Sequence, residues 1–399
     1  MKRAWRVFIP ACILLAVWEM VALAVGRPAL FPSVFQLLKA VVSLCLTASF
    51  YQSVAFTVAR GMAGIVVSLV AAVGLAFLFV RCGWLYGLFR PLLSVMRSIP
   101  VISFILLALL FFHTESIPLI IAFLVMFPLL TENLAKGFSH LRPGYTAMAG
   151  LFRIGRKNRL LQVYYPQLNP FLYSGLASAM GFGWRAVIMG EVLAQCRWGI
   201  GGGMKRAQVF IDAPEVMAWT VVAILAGFLF DSGIRKLERV RFPLSFRSPG
   251  TETPPAHGVR ISGMCFSYRD KPLFSGFTQA FEPGVIYGVS APSGAGKTTL
   301  LNLINGLLKP DRGMIEVDRS RGIAAVFQEP ELLPHLTVRE NIMLPLARFY
   351  AAEETARIAG EVLDGMEIGE LKGHYPGELS YGQQQRAAIA RALAFPSPL

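Results

Sequence analysis

The residues with the most specific chemistry lie between Val285 and Leu300, in the stretch VIYGVSAPSGAGKTTL. A short apolar run gives way to the small-residue loop 291–296, and Lys297 then opens a helical run. Such a loop lets several backbone N–H groups approach one polyphosphate, and the positive end of the helix adds to the attraction. The ammonium of Lys297 can reach the β- and γ-phosphates, and the hydroxyl of Thr298 can coordinate Mg²⁺. The pattern predicts a nucleotide-binding strand, loop and helix.

One residue departs from the expected pattern Gly-x-x-x-x-Gly-Lys-Ser/Thr, because Ala291 stands at the first glycine. Alanine is tolerated there unless the position needs a positive φ. The alternative, a glycine-rich turn with a chance lysine, is disfavoured by the strand and helix patterns on either side.

A second phosphate-binding pattern lies near residue 380, in LSYGQQQR, before a helix predicted over 387–393. A Ser-x-Gly just before a helix leaves free N–H groups pointing outward. Two such sites in one chain imply that the second serves a nucleotide held by a second copy of the chain.

The elements around these motifs are predicted as strands and helices in alternation. Tyr268 ends a predicted strand and could stack on adenine, or it could pack on the core as a strand-end tyrosine. Gln328 follows another strand at its carboxyl edge, where it could contact Mg²⁺ or the attacking water. The predicted strands are 285–289, 259–268, 314–317 and 322–327, and the predicted helices are 300–308 and 353–365.

Composition and charge divide the chain in two. Its 399 residues give room for two or three domains, and the 54% of hydrophobic residues is too high for a soluble protein of this size. Residues 1–248 hold 24 Lys and Arg against 8 Asp and Glu, whereas the remainder holds 14 against 16. The positive excess of the apolar half favours loops at an anionic membrane face. No basic stripe with interleaved aromatic residues is present, so nucleic-acid binding is not expected.

The cysteines show no Cys-x-x-Cys spacing, and we interpret them as packing thiols rather than metal ligands or disulfide partners. They are Cys12, Cys45, Cys82, Cys196 and Cys265.

The apolar half predicts a helical membrane domain over 1–241. With the N-terminus inside, internal segments collect seventeen Lys and Arg and external segments six, so both ends of this half are expected in the cytoplasm. A Pro-, Ser-, Gly- and Thr-rich linker, 242–257, follows it. Six spans are predicted, at 7–26, 61–80, 98–112, 116–135, 169–192 and 215–233.

Five charged residues inside these spans are candidates for a functional role, because a charge at mid-bilayer costs about 3 kcal/mol. Each could belong to a structural pair, snorkel to the interface or line the solute path, and their roles stay open. A direct pair between Arg185 and Glu191 is disfavoured by their spacing of six. The set is Glu19, Glu132, Arg185, Glu191 and Asp231.

The longest internal loop contains a stretch, 145–164, with the pattern of a basic amphipathic helix. Such a helix could lie on the membrane surface. Because a nucleotide-binding domain is expected on the same side, we favour a docking helix.

Together, SAPSGAGKTT, VFQEPELLPHLTVREN and LSYGQQQRAAIARAL resemble the ATP-binding subunit of ABC transporters over about 258–399, in the family's order and spacing. The resemblance implies an α/β P-loop NTPase domain with ATP and Mg²⁺ as ligands, and Mg²⁺ would be reached by Thr298 and Gln328. Tyr381 departs from the family's usual glycine. The resemblance implies that Tyr268 stacks on adenine and that Gln328 is the Q-loop glutamine. It implies a Walker A loop made of Ser293, Gly294, Ala295, Gly296, Lys297, Thr298 and Thr299. It implies a signature, facing the partner's ATP, made of Ser380, Gly382 and Gln383.

The apolar half resembles the inner-membrane permeases of importers for nitrate, sulfonates, taurine and thiamine precursors, in the stretches ARGMAGIVVSLVAAVGLAF, VMRSIPVISFILLALLFF and WRAVIMGEVLAQCRWGIGGGM. The resemblance implies an all-α bundle of about six transmembrane helices. Alignment on Pro166 puts the family's cytoplasmic coupling motif, Glu-Ala-Ala, at Ala147-Met148-Ala149 and its glycine at Arg153. The permease and the ATPase, separate chains in most such systems, are fused here.

The resemblance also implies a strand ending in Asp-Glu and a switch histidine after the helix 387–393, and neither occurs before Leu399. The Walker B aspartate and the catalytic glutamate are therefore missing from this sequence, and we expect weak ATP binding without hydrolysis. A truncated or frameshifted gene, or a fragmentary sequence, would account for this.

The resulting hypothesis is an importer half in the cytoplasmic membrane of a bacterium, with membrane lipid, a second copy of itself and an extracytoplasmic solute-binding protein as partners. An exporter is a weaker alternative because all internal loops but one are short. A non-hydrolysing membrane protein with a nucleotide-binding or assembly role is the other alternative. The transported solute cannot be inferred from the sequence.

Overall fold

The computed structural model describes residues 2–27, 31–246, 258–268 and 271–397, with the backbone alone for 2–8 and 11. The chain divides into two compact units. The first comprises 1–140 with 168–240, and the second comprises 141–167 with 241–399. Residues 247–257 of the predicted linker lie outside the described residues.

The first unit is helical throughout its described part. The sequence 83–111 forms two helices rather than one, and the break falls at Ile99-Pro100, where the proline disfavours a helical conformation of the preceding residue. The helices are α1 Lys2–Val25, α2 Val34–Cys45, α3 Ala48–Arg81, α4 Gly83–Ser98, α5 Val101–Phe111, α6 Ile117–Ser139, α9 Tyr165–Leu193, α10 Ile200–Val209 and α11 Ala213–Glu238, of which α9 begins in the second unit.

Four helices of the described chain are long and apolar enough to cross a membrane: Ala48–Arg81, Thr114–Ser139, Arg156–Leu193 and Ala213–Glu238. A fifth span would combine α4 and α5, which are bent by 93° at their break. The predicted span 98–112 is therefore not a straight helix. The predicted span 7–26 corresponds to α1, and Cys12–Val25 is its continuous apolar part among the residues whose side chains are described.

Small residues bring the helices of the first unit close together. A Cβ at Gly64 of α3 would lie 2.6 Å from the Cβ of Ala122 in α6, so the two helices touch at that level. Ala72 and Ala76 are fully buried on the same helix. Close approach through small residues is the usual basis of helix packing in membranes, where lipid removes the hydrophobic drive.

The second unit combines helices with one small sheet. The described helices are α7 Pro143–Leu151, α8 Arg156–Asn158 with the π-turn Arg159–Tyr164 leading into α9, α12 Lys297–Asn305, α13 Val338–Leu346, α14 Ala352–Gly365 and α15 Tyr381–Ala394. The strands are β1 Val259–Tyr268, β2 Lys271–Phe281 and β3 Arg312–Glu316.

The sheet has the order β2-β1-β3 with both pairs antiparallel. Tyr268 is paired with Lys271 at the hairpin end, and Arg260 is paired with Glu316 on the other side. The apolar face of β1 packs against α12, since Ile261 and Met264 share a buried cluster with Leu303. The sheet thus supports the helix that follows the small-residue loop.

Two strand predictions are wrong within the described residues. The stretch 285–290 is not a strand, and Ile286 is fully exposed. The stretch 322–327 is not a strand either, because the backbone N–H of Ile323 donates to the carbonyl of Leu151 at 3.0 Å. A strand needs a neighbour in a ladder, and the described strands pair only among themselves.

The predicted helix 145–164 is also divided. Helix α7 ends at Leu151, and Arg153 takes a positive φ of 44° before the chain turns helical again at Arg156. A left-handed residue cannot continue an α-helix, so the break follows from the backbone. The predicted strand at 314–317 and the predicted helices 300–308, 353–365 and 387–393 correspond to β3, α12, α14 and α15.

Candidate functional site

The small-residue loop has the backbone expected of an anion cradle. Gly294 and Gly296 have φ values of 83° and 96°, and Gly296 is the N-cap of α12. The N–H of Ala295 donates back to the carbonyl of Pro292 at 3.2 Å, which closes the loop. The first N–H groups of α12 then face the loop without intrahelical acceptors, so the arrangement favours an anion.

Ala291 does not take a positive φ, since it is absent from the described residues with left-handed backbone. Alanine therefore fits at this position without strain. The loop keeps its glycines at the two positions that need positive φ.

Lys297 places its charge at this loop. Its Nζ donates to the carbonyl oxygens of Ala291 at 2.6 Å and Pro292 at 2.9 Å. Ser293, Ala295 and Thr298 are exposed, whereas Thr299 is buried beneath the helix start. The exposed hydroxyl of Thr298 at the helix start is therefore one that a cation at the loop could reach.

Tyr268 lies at the end of β1 and is 51% exposed. Its ring contacts Phe266 edge to face, with 5.0 Å between centroids. The outer face of the tyrosine ring is free to stack on another aromatic ring, so the geometry is compatible with both sequence interpretations.

Gln328 is exposed, and its carbonyl oxygen is held by helix α15. It accepts hydrogen bonds from the hydroxyl of Tyr381 at 3.1 Å and from the side-chain amide of Gln385 at 2.9 Å. Among the described contacts, no hydrogen bond or ring contact joins Tyr268, the loop 293–299 and Gln328 to one another. The structure therefore brings Gln328 to the signature helix rather than to the loop.

The signature residues form a capped helix start. Ser380 is the N-cap of α15 and accepts from the N–H of Gln383 at 3.4 Å, while its own N–H donates to Gln383 Oε1 at 2.9 Å. Ser380 and Gly382 are exposed. The capping box occupies the N–H of Gln383, whereas the N–H groups of Tyr381 and Gly382 have no acceptor within the helix and lie at an exposed helix end, as an anion site requires.

The predicted docking helix lies in a groove of its own unit. Met148 and Ala149 of α7 are buried with Leu333, Leu336 and other residues that follow Gln328 in the chain, whereas Ala147 is half-buried. Helix α7 therefore packs on the segment that continues from the Q-loop glutamine, and a displacement of this segment would displace α7.

Arg153 closes this docking contact. It occupies the position where the resemblance implies glycine, and its φ of 44° is a conformation that glycine adopts freely. Its guanidinium donates to the carbonyl of Ser320 at 2.7 Å, and its own carbonyl accepts from Arg348 at 3.1 Å. These bonds compensate for the strained backbone.

Arg391 is a residue that sequence reasoning missed. Its side chain is fully buried and donates to the carbonyls of Glu331 at 2.6 Å and Pro330 at 2.8 Å. Its guanidinium also lies over the ring of Phe152, 5.4 Å from the centroid. Burial lowers the pKa of Arg391 to about 10, so the group remains charged at neutral pH. One cation thus joins the signature helix, the segment after Gln328 and the end of the docking helix.

The charges within the predicted spans are mostly paired. Glu191 is fully buried and accepts from Arg60 at 2.7 Å and from the N–H of Gly201 at 2.9 Å. Glu19 accepts from the N–H of Val34, Glu132 pairs with Arg97 and Lys136, and Asp231 pairs with Arg235.

Arg185 differs from these charges. It is exposed on α9, and no ion pair or hydrogen bond of its side chain occurs among the described contacts. It lines a cavity of about 360 Å³ together with Trp184, Thr220 and Asp231. Arg185 lies eight residues before the end of α9, about 12 Å along the helix, and inside the predicted span 169–192.

Two family profiles match this chain in succession. The family described as binding-protein-dependent transport system inner membrane component matches residues 64–239. The family described as ABC transporter matches residues 274–399.

Curated relatives match the second half. The lipoprotein-releasing system ATP-binding protein LolD of Bacteroides fragilis is 37% identical over 153 residues, which are 34% of this chain and 70% of the relative. The spermidine/putrescine import ATP-binding protein PotA of Chromobacterium violaceum is 36% identical over 34% of this chain and 40% of the relative.

Among solved structures, cbiO1 from Clostridium perfringens, part of the transporter complex cbiONQ, is 26% identical, with a TM-score of 0.32, over 35% of this chain and 62% of that one. The sequence matches alone carry the assignment. The chain is an import-type permease fused to an ATP-binding domain, and it belongs to the ABC transporter family.

Proposed function

We propose that this chain is one half of an importer in the bacterial cytoplasmic membrane, and that two copies pair to move a small solute inward with ATP. The solute class is that of the nitrate, sulfonate, taurine and thiamine-precursor importers, and an extracytoplasmic solute-binding protein delivers it. The N-terminus and the ATP-binding domain face the cytoplasm, in agreement with the distribution of Lys and Arg.

The observation that carries this proposal is the position of α7. Its buried residues lie against the segment that follows Gln328, and Arg391 connects the same segment to the signature helix. Nucleotide contacts at the loop 293–299 and at Ser380, Gly382 and Gln383 of the partner would move this segment, and α7 would carry the movement to the membrane helices. ATP and Mg²⁺ are the proposed ligands, with Mg²⁺ held through Thr298 and, after Gln328 moves from the signature helix toward the loop, through Gln328 as well.

The test is nucleotide-dependent uptake. The full chain is reconstituted with a candidate solute-binding protein and radiolabelled taurine, nitrate or an alkylsulfonate, and uptake is compared with that of Lys297→Ala. Loss of ATP photo-labelling and of uptake in Lys297→Ala is expected. Uptake that does not change in this variant would contradict the proposal.

Phosphate release is measured in the same preparation, because uptake driven by ATP requires its hydrolysis. Release that accompanies uptake and disappears in Lys297→Ala would support the proposal, whereas uptake without release would contradict the role given to ATP.

A further inference from the structure

A cavity of about 380 Å³ lies in the second unit, between three segments that are far apart in the sequence. Its walls are the turn 154–158 after the docking helix, Ser245 and Phe246 of the linker, and residues 347–348 after α13. We call it the linker cavity.

Specific hydrogen bonds build the walls of the linker cavity. The side chain of Asn158, which is only 4% exposed, donates to the carbonyl of Ser245 at 2.8 Å and accepts from its N–H at 2.8 Å. Arg348 donates to the carbonyl of Arg153 at 3.1 Å, which fixes the opposite wall. The cavity is therefore a constructed feature of the fold and not a gap between loose loops.

The lining of this cavity is strongly positive. Arg156, Lys157 and Arg348 all line it, and no Asp or Glu is among the described residues of its wall. None of the three forms an ion pair among the described contacts, and the rest of the lining includes the apolar Ile154 and Phe246. Apolar walls strengthen the field of nearby charges, so three like charges around one space favour an anionic guest.

We propose that the linker cavity binds a phosphate-class anion. Two guanidinium forks match the oxygens of a phosphate group, and Lys157 adds a point charge. The volume is at the small end of the range for ligand pockets, which suits inorganic phosphate or a small phosphate ester. The phosphodiester headgroup of an anionic lipid carries the same chemistry.

An anion held there would regulate docking. It would bridge Arg156 and Lys157, which follow the docking helix, to Arg348, which follows α13. The turn at Arg153 already depends on Arg348, so a bound anion would tighten the attachment of α7 to its groove. Coupling between the two units would then depend on the anion concentration.

The experiment measures binding of ³²P-labelled inorganic phosphate to the full chain in phosphatidylcholine nanodiscs by equilibrium dialysis at constant ionic strength. The double variant Arg156→Gln with Arg348→Gln should bind phosphate about tenfold or more weakly. Lys309→Gln removes an exposed cation of the same unit outside the cavity and should bind as the unmodified chain does. Hydrogen exchange of α15, which begins at Tyr381 and is distant in sequence from both substitutions, shows that each variant is folded.

The small-residue loop is a second possible phosphate site, and Lys297→Ala separates it from the cavity. Phosphate binding that survives in Lys297→Ala and weakens in the double variant supports the proposal. Phosphate binding that is lost in Lys297→Ala, or that is equal in the double variant and the unmodified chain, would overturn it.

The source of the anion is decided by repeating the dialysis in nanodiscs of phosphatidylglycerol. If the lipid weakens phosphate binding to the unmodified chain about tenfold at constant free phosphate concentration, a lipid headgroup occupies the cavity. If it does not, the ligand is a free phosphate compound.

Discussion

The hydroxyl of Tyr381 donates to the carbonyl of Gln328 at 3.1 Å, and this bond fastens the signature helix to the Q-loop glutamine of the same chain. Tyr381 is the residue that departs from the family's glycine. A glycine could not make this bond, so the departure has a structural consequence as well as a possible cost to closure on a partner's nucleotide.

Substitution Tyr381→Phe should loosen the segment around Gln328. Gln385 still donates to the same carbonyl, so the loss should be modest, about 0.5–1 kcal/mol of local opening free energy. Hydrogen exchange of residues 328–332 measures it. Tyr350→Phe is the control, because Tyr350 contributes its ring to a buried cluster. Equal exchange in both variants would contradict the role assigned to the hydroxyl.

Gly322→Ala should release the docking helix. Gly322 has a φ of 107°, and a Cβ there would lie 2.5 Å from the carbonyl oxygen of Leu151 at the end of α7. Backbone strain and this collision together should cost about 2–3 kcal/mol.

Faster hydrogen exchange over 143–153 would report the release of α7. Gly360→Ala is the matched control, since Gly360 lies in α14 with open space around its Cβ position and should gain up to about 1 kcal/mol. If residues 143–153 exchange as slowly in Gly322→Ala as in the unmodified chain, the close contact with Leu151 does not hold α7 in place.

Arg391→Gln should disrupt the connection between α15 and the segment 330–331. Two carbonyl oxygens would lose charged donors in a buried place, at a cost of about 3 kcal/mol. Arg391→Lys should recover only part of this, because an ammonium does not reproduce the fork geometry. Hydrogen exchange of residues 328–336 measures local unfolding in both variants. Full recovery by lysine would mean that charge alone matters.

His335 should make the linker contact sensitive to acid. Burial, helped by the charge of Arg241, lowers the pKa of His335 to about 4 from its ordinary 6.5. Between pH 6.5 and 4 the unfolded form takes up a proton that the folded form refuses, so stability falls as the pH falls, by roughly 3 kcal/mol in all.

His335 lies 3.3 Å from the side chain of Gln162, which donates to the carbonyl of Phe242. The protection factors of 241–246, which divide out the pH dependence of the intrinsic exchange rate, should therefore fall between pH 7 and pH 5, and His335→Gln should remove most of this fall. His374→Gln, at an exposed histidine, should leave it unchanged. An identical pH profile in the His335 variant would contradict the prediction.

Arg185→Gln should lower solute uptake without weakening the helical bundle. A charge at this depth costs about 3 kcal/mol, so its removal should stabilise the first unit or leave it unaffected if Arg185 serves the solute path. Uptake and thermal stability are measured together, with Arg185→Lys as the variant that keeps the charge. A destabilised protein would instead indicate a structural role.

Local patterns predicted the elements that depend on local chemistry. The loop 291–296 and its helix, and the tolerance of Ala291, follow from which positions need a positive φ. The docking role of α7 stays a prediction, and Met148, an apolar position of the predicted amphipathic helix, is buried within its unit.

Features set by distant contacts could not be predicted. The segment 322–327 has the composition of a strand, but the N–H of Ile323 is bonded to Leu151, which is 172 residues earlier. Arg391 resembles any basic residue of an amphipathic helix, and only its burial over Phe152 shows its role. The partner of Glu191 was missed for the same reason, because Arg60 is 131 residues away.

The linker gives the docking contact an unusual physical setting. Its residues Phe242 and Ser245 accept hydrogen bonds from the side chains of Gln162 and Asn158, which follow the docking helix in the sequence. The groove and the docking helix therefore belong to one polypeptide. Joining two binding surfaces this way gives an effective concentration in the millimolar range. A groove of about a thousandfold lower affinity would therefore still be filled, and this would allow Arg153 to stand where the resemblance implies glycine.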